Sequence, residues 1–273
     1  MTRSPLGWLD LVAPRDRRSR QVLHASPFGP HPLQKLDLYA PRAGRGPWPL
    51  LIFIYGGGWE DGTREDYHFA GRALAGMGFL TMVADYRVHP EAHFPVFLED
   101  CARAANWLLD HASKHGGDAR RVVVAGHSAG AYNAVMLALQ PGRFGAPRLE
   151  GRIEAVVGLS GPYDFYPYDV RQSINAFGQY AEPLATQPIN LVSPEAPPML
   201  LIHGVKDVTV GDYHTVRLAE KLRQAGVAVT ETHFPTYGHA QTVLGLLPVF
   251  RWFWPIYGAV RAYLRERLGQ RAS

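Results

Sequence analysis

The stretch RVVVAGHSAGAYNAVMLAL, Arg121–Leu139, narrows the choice of fold more than any other part of this chain. Val122, Val123 and Val124 form a β-branched run suited to a strand buried on both faces, and the Ala/Met/Leu-rich part that follows suits a helix. Between them Gly126, His127, Ser128, Ala129 and Gly130 must make a strand-to-helix turn. Glycine on both sides lets the backbone bend tightly without a Cβ clash, so Ser128 can stand in strained geometry with its hydroxyl exposed above a helix N-terminus. A nucleophilic serine requires that setting. Small residues at such a turn also serve close packing alone, so the reading depends on what the rest of the chain supplies.

Strand and helix periods alternate along most of the sequence. KLDLYAP alternates as a strand and PLLIFIY reads as a buried one; a helical stretch from Tyr67 to Met77 precedes the strand FLTMVADY, and a long helix runs from about Val96 to Lys114. After the elbow come IEAVVGLS, PPMLLIHG, a helix from Asp212 to Gln224, and VAVTETHF. This order predicts an α/β fold: a mostly parallel central sheet with helices on both faces, and chemistry at the carboxyl ends of the strands. With 273 residues, 47% of them hydrophobic, the chain is expected to form a single domain spanning 1–273. Residues 163–197, rich in Tyr, Pro and Asn, are too long for an ordinary connection and read as a small cap over the site.

Composition excludes several classes. The net charge is +4 and the pI about 9.2, but the arginines are scattered. The densest cluster, RDRRSR, reads as a solvated arm rather than a nucleic-acid contact. Cys101 is the one cysteine, so no internal disulfide can form, and its helical setting predicts a buried small residue. The opening MTRSPLGWLDLVAPRDRR lacks the apolar run of a secretory signal, and a cytoplasmic location is the expectation. VLGLLPVFRWFWPIYGAVRAYL, Val243–Leu264, is very apolar, but Arg251, Pro248 and Pro255 argue against a spanning helix. Core packing or pocket lining is preferred there over membrane-surface contact. Beyond Pro255, the spacing of Ile256, Val260, Leu264 and Leu268 describes an amphipathic helix, closing an apolar segment over 243–273.

A serine hydroxyl needs a base to take its proton, and the base is an imidazole held by a third group. VKDVTV sets Asp207 in the loop just past the strand PPMLLIHG, and PTYGHAQ sets His239 in the loop past VAVTETHF. The order Ser, Asp, His is the one this architecture uses. His127, His203, His214 and His233 read as packed or surface histidines. Asp164, in GPYDF after an earlier strand, is the rival acid, while Asp212 reads as a helix cap. IYGGGWEDG follows a buried strand, and its Gly57 and Gly58 can turn amide N–H groups toward a substrate oxygen, joined by the N–H of Ala129. The histidines show no metal-ligand spacing, and no metal or cofactor is expected.

Taken together, YGGGW, ADYRVHPEAHFPVFLEDCARAANWL, GHSAG, IHGVKDVTV and YGHA resemble the α/β-hydrolase fold. Within it the chain resembles carboxylesterases related to hormone-sensitive lipase and the similar bacterial esterase/lipases and kynurenine-formamidase-like enzymes. The resemblance runs from about HPLQKLDLYAP to PTYGHA. It implies the nucleophile Ser128, the acid Asp207, the base His239, and an oxyanion loop at Gly57 and Gly58 with Ala129. One position departs: Tyr55 stands where the family's glycine loop usually begins with histidine, and its ring cannot make the same bracing bonds. The implied activity is cofactor-free cleavage of small-molecule carboxylic esters through an acyl-enzyme. Aryl-formamide or other amide hydrolysis is the alternative within enzymes, and a noncatalytic binding module of this fold the alternative outside them. Oligomeric state is not readable.

Overall fold

The computed structural model describes residues 16–269. Eight strands form one sheet: β1 (Ser19–Pro27), β2 (Lys35–Pro41), β3 (Trp48–Ile54), β4 (Leu80–Ala84), β5 (Gly117–His127), β6 (Ile153–Leu159), β7 (Met199–Gly204) and β8 (Val229–Phe234). Their order across the sheet is β1-β2-β4-β3-β5-β6-β7-β8. The β1–β2 and β2–β4 pairs are antiparallel and every other pair is parallel. The helices of two turns or more are α1 (His68–Ala75), α2 (Val96–His111), α3 (Ala129–Leu139), α4 (Arg171–Phe177), α5 (Tyr213–Gln224) and, after the short turn Gln241–Leu244, α6 (Ile256–Leu268).

Alternate residues of the central strands face two separate cores, which is why these strands read as unbroken apolar runs. Val156, Met199 and Leu201 pack with Leu218 and Leu222 of α5. Ala155, Val157, Leu159, Leu200 and Ile202 pack in the other core with Ile256, Val260 and Leu264 of α6. Helices therefore cover both faces, as expected. The apolar C-terminal segment resolves into core packing: Val243, Leu246, Leu247 and Leu268 are buried as well. Cavity lining ends at Ala240, so pocket lining is not its role. Trp252 and Phe253 at its turn are 91% and 71% exposed. No helix among the described residues is long and apolar enough to cross a membrane.

Two expectations need correction. From Asp16 on, the RDRRSR cluster is not an arm: Arg17, Arg18 and Arg20 are exposed, but Ser19 and Arg20 already belong to β1, and Asp16 pairs with Arg251. β1 escaped sequence reading because two register shifts against β2 break its period of two. Asp212 stands at the helix N-cap position yet makes no side-chain capping bond. Arg15 and the stretch before it, on which the absence of a signal was read, lie outside the described residues.

The elbow is built by close approach of main chains. A Cβ on Gly130 would lie 2.1 Å from the Ile54 carbonyl oxygen, and one on Gly126 would lie 2.1 Å from that of Gly130. Only glycine lets α3 start so close to β3. Gly130→Ala is expected to lower unfolding stability by about 2–4 kcal/mol, measured by urea denaturation. A loss below about 0.5 kcal/mol would show that the two chains can separate without cost.

Candidate functional site

Ser128 sits between β5 and α3 at φ 56°, ψ −127°. A side chain pays strain there, and the turn holds it through its ends: the Ser128 amide donates to the Leu159 carbonyl at 2.8 Å, and its carbonyl accepts from Ala131 and Tyr132 as α3 begins. The hydroxyl makes no hydrogen bond among the described residues and opens into a cavity of about 940 Å³. Gly57, Gly58, Ala129 and His239 line the same cavity. The loops that carry them follow β3, β5 and β8, so the parallel sheet delivers all of them to one edge.

Asp207, in the loop after β7, is buried and takes donors at both oxygens. The amides of Thr209 and Val210 reach Oδ1, each at 2.9 Å. Nδ1 of His239 reaches Oδ2 at 2.7 Å, and Nε2 of His203 stands 3.3 Å from the same atom. Burial alone would raise this carboxyl, but the bonds from His203 and His239 outweigh it and hold it well below the usual carboxylate range. With its Nδ1–H given to Asp207, the half-buried His239 ring keeps Nε2 as the free acceptor. No direct bond joins that ring to Ser128 among the described residues. Asp207 and His239 are already coupled, and His239 and Ser128 share the cavity without a bond between them.

The glycine loop presents free donors. Gly57 has φ +147° and Gly58 φ +62°, and a Cβ on Gly57 would lie 1.9 Å from the Asp61 carbonyl oxygen. The Gly57 carbonyl accepts from the amides of Glu60 and Asp61. The N–H groups of Gly57, Gly58 and Ala129 bond to nothing among the described residues. Trp59 fixes the loop from below, donating from Nε1 to Asn133 Oδ1 at 3.2 Å and packing on Phe165 and Phe177. Glu60 ties it to α4 through Arg171 at 3.0 Å and Asn175 at 2.7 Å.

Tyr55, where histidine was expected, braces the loop differently. Its buried ring stacks on Tyr67 and Tyr86, and its carbonyl accepts from the Tyr86 hydroxyl at 2.8 Å. Its own hydroxyl accepts the Tyr86 amide at 3.4 Å, close to the buried Asp85 carboxylate. Asp85 in turn grips the Arg64 guanidinium, whose Nε reaches Asp37. The DYR…LED signature is explained by the same scaffold, for Arg87 makes two side-chain bonds to Asp100, each at 2.8 Å.

The other candidates fall into place. Asp164 is held by Arg217 at 2.7 Å rather than by His239. His214 accepts the Asp164 amide, and burial pushes it down to about 4. His203 is packed, Nε2 donating to the Val210 carbonyl and Nδ1 accepting from Thr215. Its bond beside Asp207 was not legible in the sequence, since position within a strand gives no sign of what the ring meets across the turn. Cys101 is buried on α2, and burial pushes its thiol up.

The depressed Asp207 carboxyl predicts a pH-dependent contribution to stability. Its ionised form is preferred by the folded state, so the gain is present above the unfolded value of ~3.9 and is lost as pH falls toward the folded one. Asp207→Asn should cost on the order of 2 kcal/mol at neutral pH, measured by urea denaturation, and the gap to the parent should shrink below about pH 4. A gap that stays constant or widens in acid would contradict this assignment.

Comparison with known proteins places the chain among esterase-like sequences and folds. The chain is similar to Esterase LipC of Mycobacterium tuberculosis (strain ATCC 25618 / H37Rv), 30% identical over 252 residues that cover 83% of this chain and 62% of that one. It is also similar to the probable isoprenylcysteine alpha-carbonyl methylesterase ICMEL1 of Arabidopsis thaliana, 27% identical over 222 residues, 73% of this chain and 47% of the relative. The chain thus spans roughly half to 62% of the length of these relatives. Among solved structures, esterase B from Lactobacillus rhamnosis superposes with a TM-score of 0.80 at 21% identity over 96% of this chain and 90% of that one. A truncated carbohydrate esterase from gut microbiota gives 0.79 at 21% over 94% and 100%. These likenesses establish the α/β-hydrolase fold. Residues 36–222, more than half of the sequence and including the glycine loop, the elbow and Asp207, match the family described as BD-FAE, and the chain belongs to that family.

Proposed function

We propose that this protein is a serine hydrolase of small-molecule carboxylic esters, with Ser128 as nucleophile, His239 as base and Asp207 as the acid that holds it. The observation that carries the reading is one cavity lined by an unbonded serine hydroxyl at a strained elbow, by an imidazole already bonded to a buried carboxylate, and by three amides with no other acceptor. The names of the curated relatives, an esterase and a probable methylesterase, support the same chemistry.

His239 Nε2 takes the Ser128 proton as the hydroxyl oxygen attacks the ester carbonyl. A rotation of the two side chains closes the open bond when substrate enters, as catalytic hydrogen bonds often tighten only in the complex. The oxygen that gains charge falls to the amides of Gly57, Gly58 and Ala129, each such donor being worth ~2.7–4 kcal/mol. The imidazolium, stabilised by Asp207, then protonates the leaving alcohol, and water attacks the acyl-enzyme by the same route. We read residues 163–197 as a cap belonging to the same single domain, because Phe165, Tyr166 and Val170 roof the cavity and α4 is tied to the glycine loop. A cavity of about 940 Å³ with Trp59, Phe165, Tyr166 and Tyr213 in its walls suits an ester of substantial apolar bulk.

Hydrolysis of an aryl formamide would use the same atoms, and a noncatalytic module would keep the fold alone. A fluorophosphonate probe with peptide mapping, then p-nitrophenyl esters of rising acyl length beside N-formylkynurenine, separates the three. Label is expected on Ser128, with ester turnover above formamide turnover. Ser128→Ala should lower kcat by at least about 10³-fold while the variant stays folded. Undiminished ester turnover in Ser128→Ala would refute the proposal.

A further inference from the structure

The main chain at His239 is held as well as its side chain. Its carbonyl oxygen accepts from Thr242 Oγ1 at 2.9 Å and lies 3.2 Å from Nε2 of His127. A carbonyl can only accept, so the His127 ring carries its proton on Nε2, and Nδ1 is left as the acceptor. That nitrogen takes the Tyr67 hydroxyl at 3.1 Å, and the Tyr67 ring in turn stacks on Tyr55 at the head of the glycine loop. On the other side, Thr242 spends its one hydroxyl hydrogen on the carbonyl, so Ser160 must donate to Thr242 across 3.0 Å. Every proton in this string is thereby assigned.

The string joins four strand ends. Tyr55 follows β3, His127 closes β5 immediately before Ser128, Ser160 follows β6, and His239 lies in the loop after β8. His127, Tyr67, Ser160 and Thr242 are all buried. Burial, reinforced by the neighbouring His239, pushes His127 down to about 3. The ring therefore stays neutral, in the tautomer the string needs, throughout the range in which an imidazole base works.

We propose that Tyr67 and His127 are positioning residues, which fix the backbone of the base loop to the elbow and to the glycine loop so that only side-chain rotation is left to close the Ser128–His239 bond. The proposal rests on the hydrolase reading above. It explains how an open nucleophile–base pair coexists with a rigid surround: the separation of the two main chains is set by hydrogen bonds, and the reacting atoms swing within it. Tyr67 and His127 also reach the cavity wall, but they act on the reaction through His239 and the amides.

The test compares the parent with His127→Asn, His127→Gln and Tyr67→Phe in three measurements: the rate of fluorophosphonate labelling, kcat and KM for a p-nitrophenyl ester, and thermal unfolding. Asparagine can keep an acceptor for Tyr67, but its amide is too short to reach the His239 carbonyl. Glutamine puts an N–H near the place of Nε2. Because a displacement of about 1 Å can cost 10²-fold, kcat of His127→Asn should fall by about 10–100-fold with KM nearly unchanged, and His127→Gln should recover most of that loss. Tyr67→Phe should lose about fivefold in kcat, one net hydrogen bond's worth. Should His127→Asn fail to fold, Tyr67→Phe decides in its place. Parent-like kcat in His127→Asn, equal losses in the asparagine and glutamine variants, or parent-like kcat in Tyr67→Phe would overturn this inference while leaving a labelled parent intact. A parent that takes no label at all would overturn it together with the reading on which it rests.

Discussion

The site depends on the contact between the start of α3 and the end of β3, where no side chain intervenes. Gly130 lies against the carbonyl oxygens of Ile54 and Tyr55 so closely that a Cβ would stand 2.1 and 2.3 Å from them. This approach sets Ser128 at positive φ and at the same time brings the glycine loop beside the elbow. A Cβ on Gly56 would meet the His127 carbonyl oxygen at 2.8 Å. Two loops far apart in sequence are thus held in register by main-chain contact. Main chain packs with less freedom than side chains do, so the amides of Gly57, Gly58 and Ala129 are held in fixed directions, as their proposed role toward a developing oxyanion requires.

Around that contact, polar groups organise loops and the two apolar cores supply the burial. Asp37, Arg64 and Asp85 form a buried chain of ion pairs beneath the glycine loop, and at the foot of α2 Asp100 pairs with Arg87 and accepts a hydrogen bond from Gln34. Buried ion pairs add little net stability against apolar replacements, but breaking one partner is costly, so their effect is to fix one arrangement. Tyr55 fits this scheme. It gives up the expected histidine's bonds and gains two stacked rings and two hydrogen bonds with Tyr86.

How much of this was legible follows from the range of each interaction. Ser128, Asp207 and His239 could be placed from sequence because each lies just beyond a strand end, and strand ends are marked by local period and glycine. Gly57 and Gly58 were legible for the same reason. His127 and Tyr67 were not: one was read as a packed or surface histidine and the other as a helix start, since the bonds that join them to each other and to His239 span loops that only the sheet brings together. The same holds for His203 beside Asp207. β1 was hidden by its bulges, and Asp212 carried the right residue type for a cap without making the bond.

The central claim concerns where charge develops, and a crystal structure of the protein inactivated by a p-nitrophenyl alkylphosphonate tests it directly. The account predicts phosphorus bonded to Ser128 Oγ, with the phosphoryl oxygen about 2.7–3.1 Å from the amides of Gly57, Gly58 and Ala129 and His239 turned toward the adduct. Phosphorus on another residue, or a phosphoryl oxygen facing away from those amides, would contradict it.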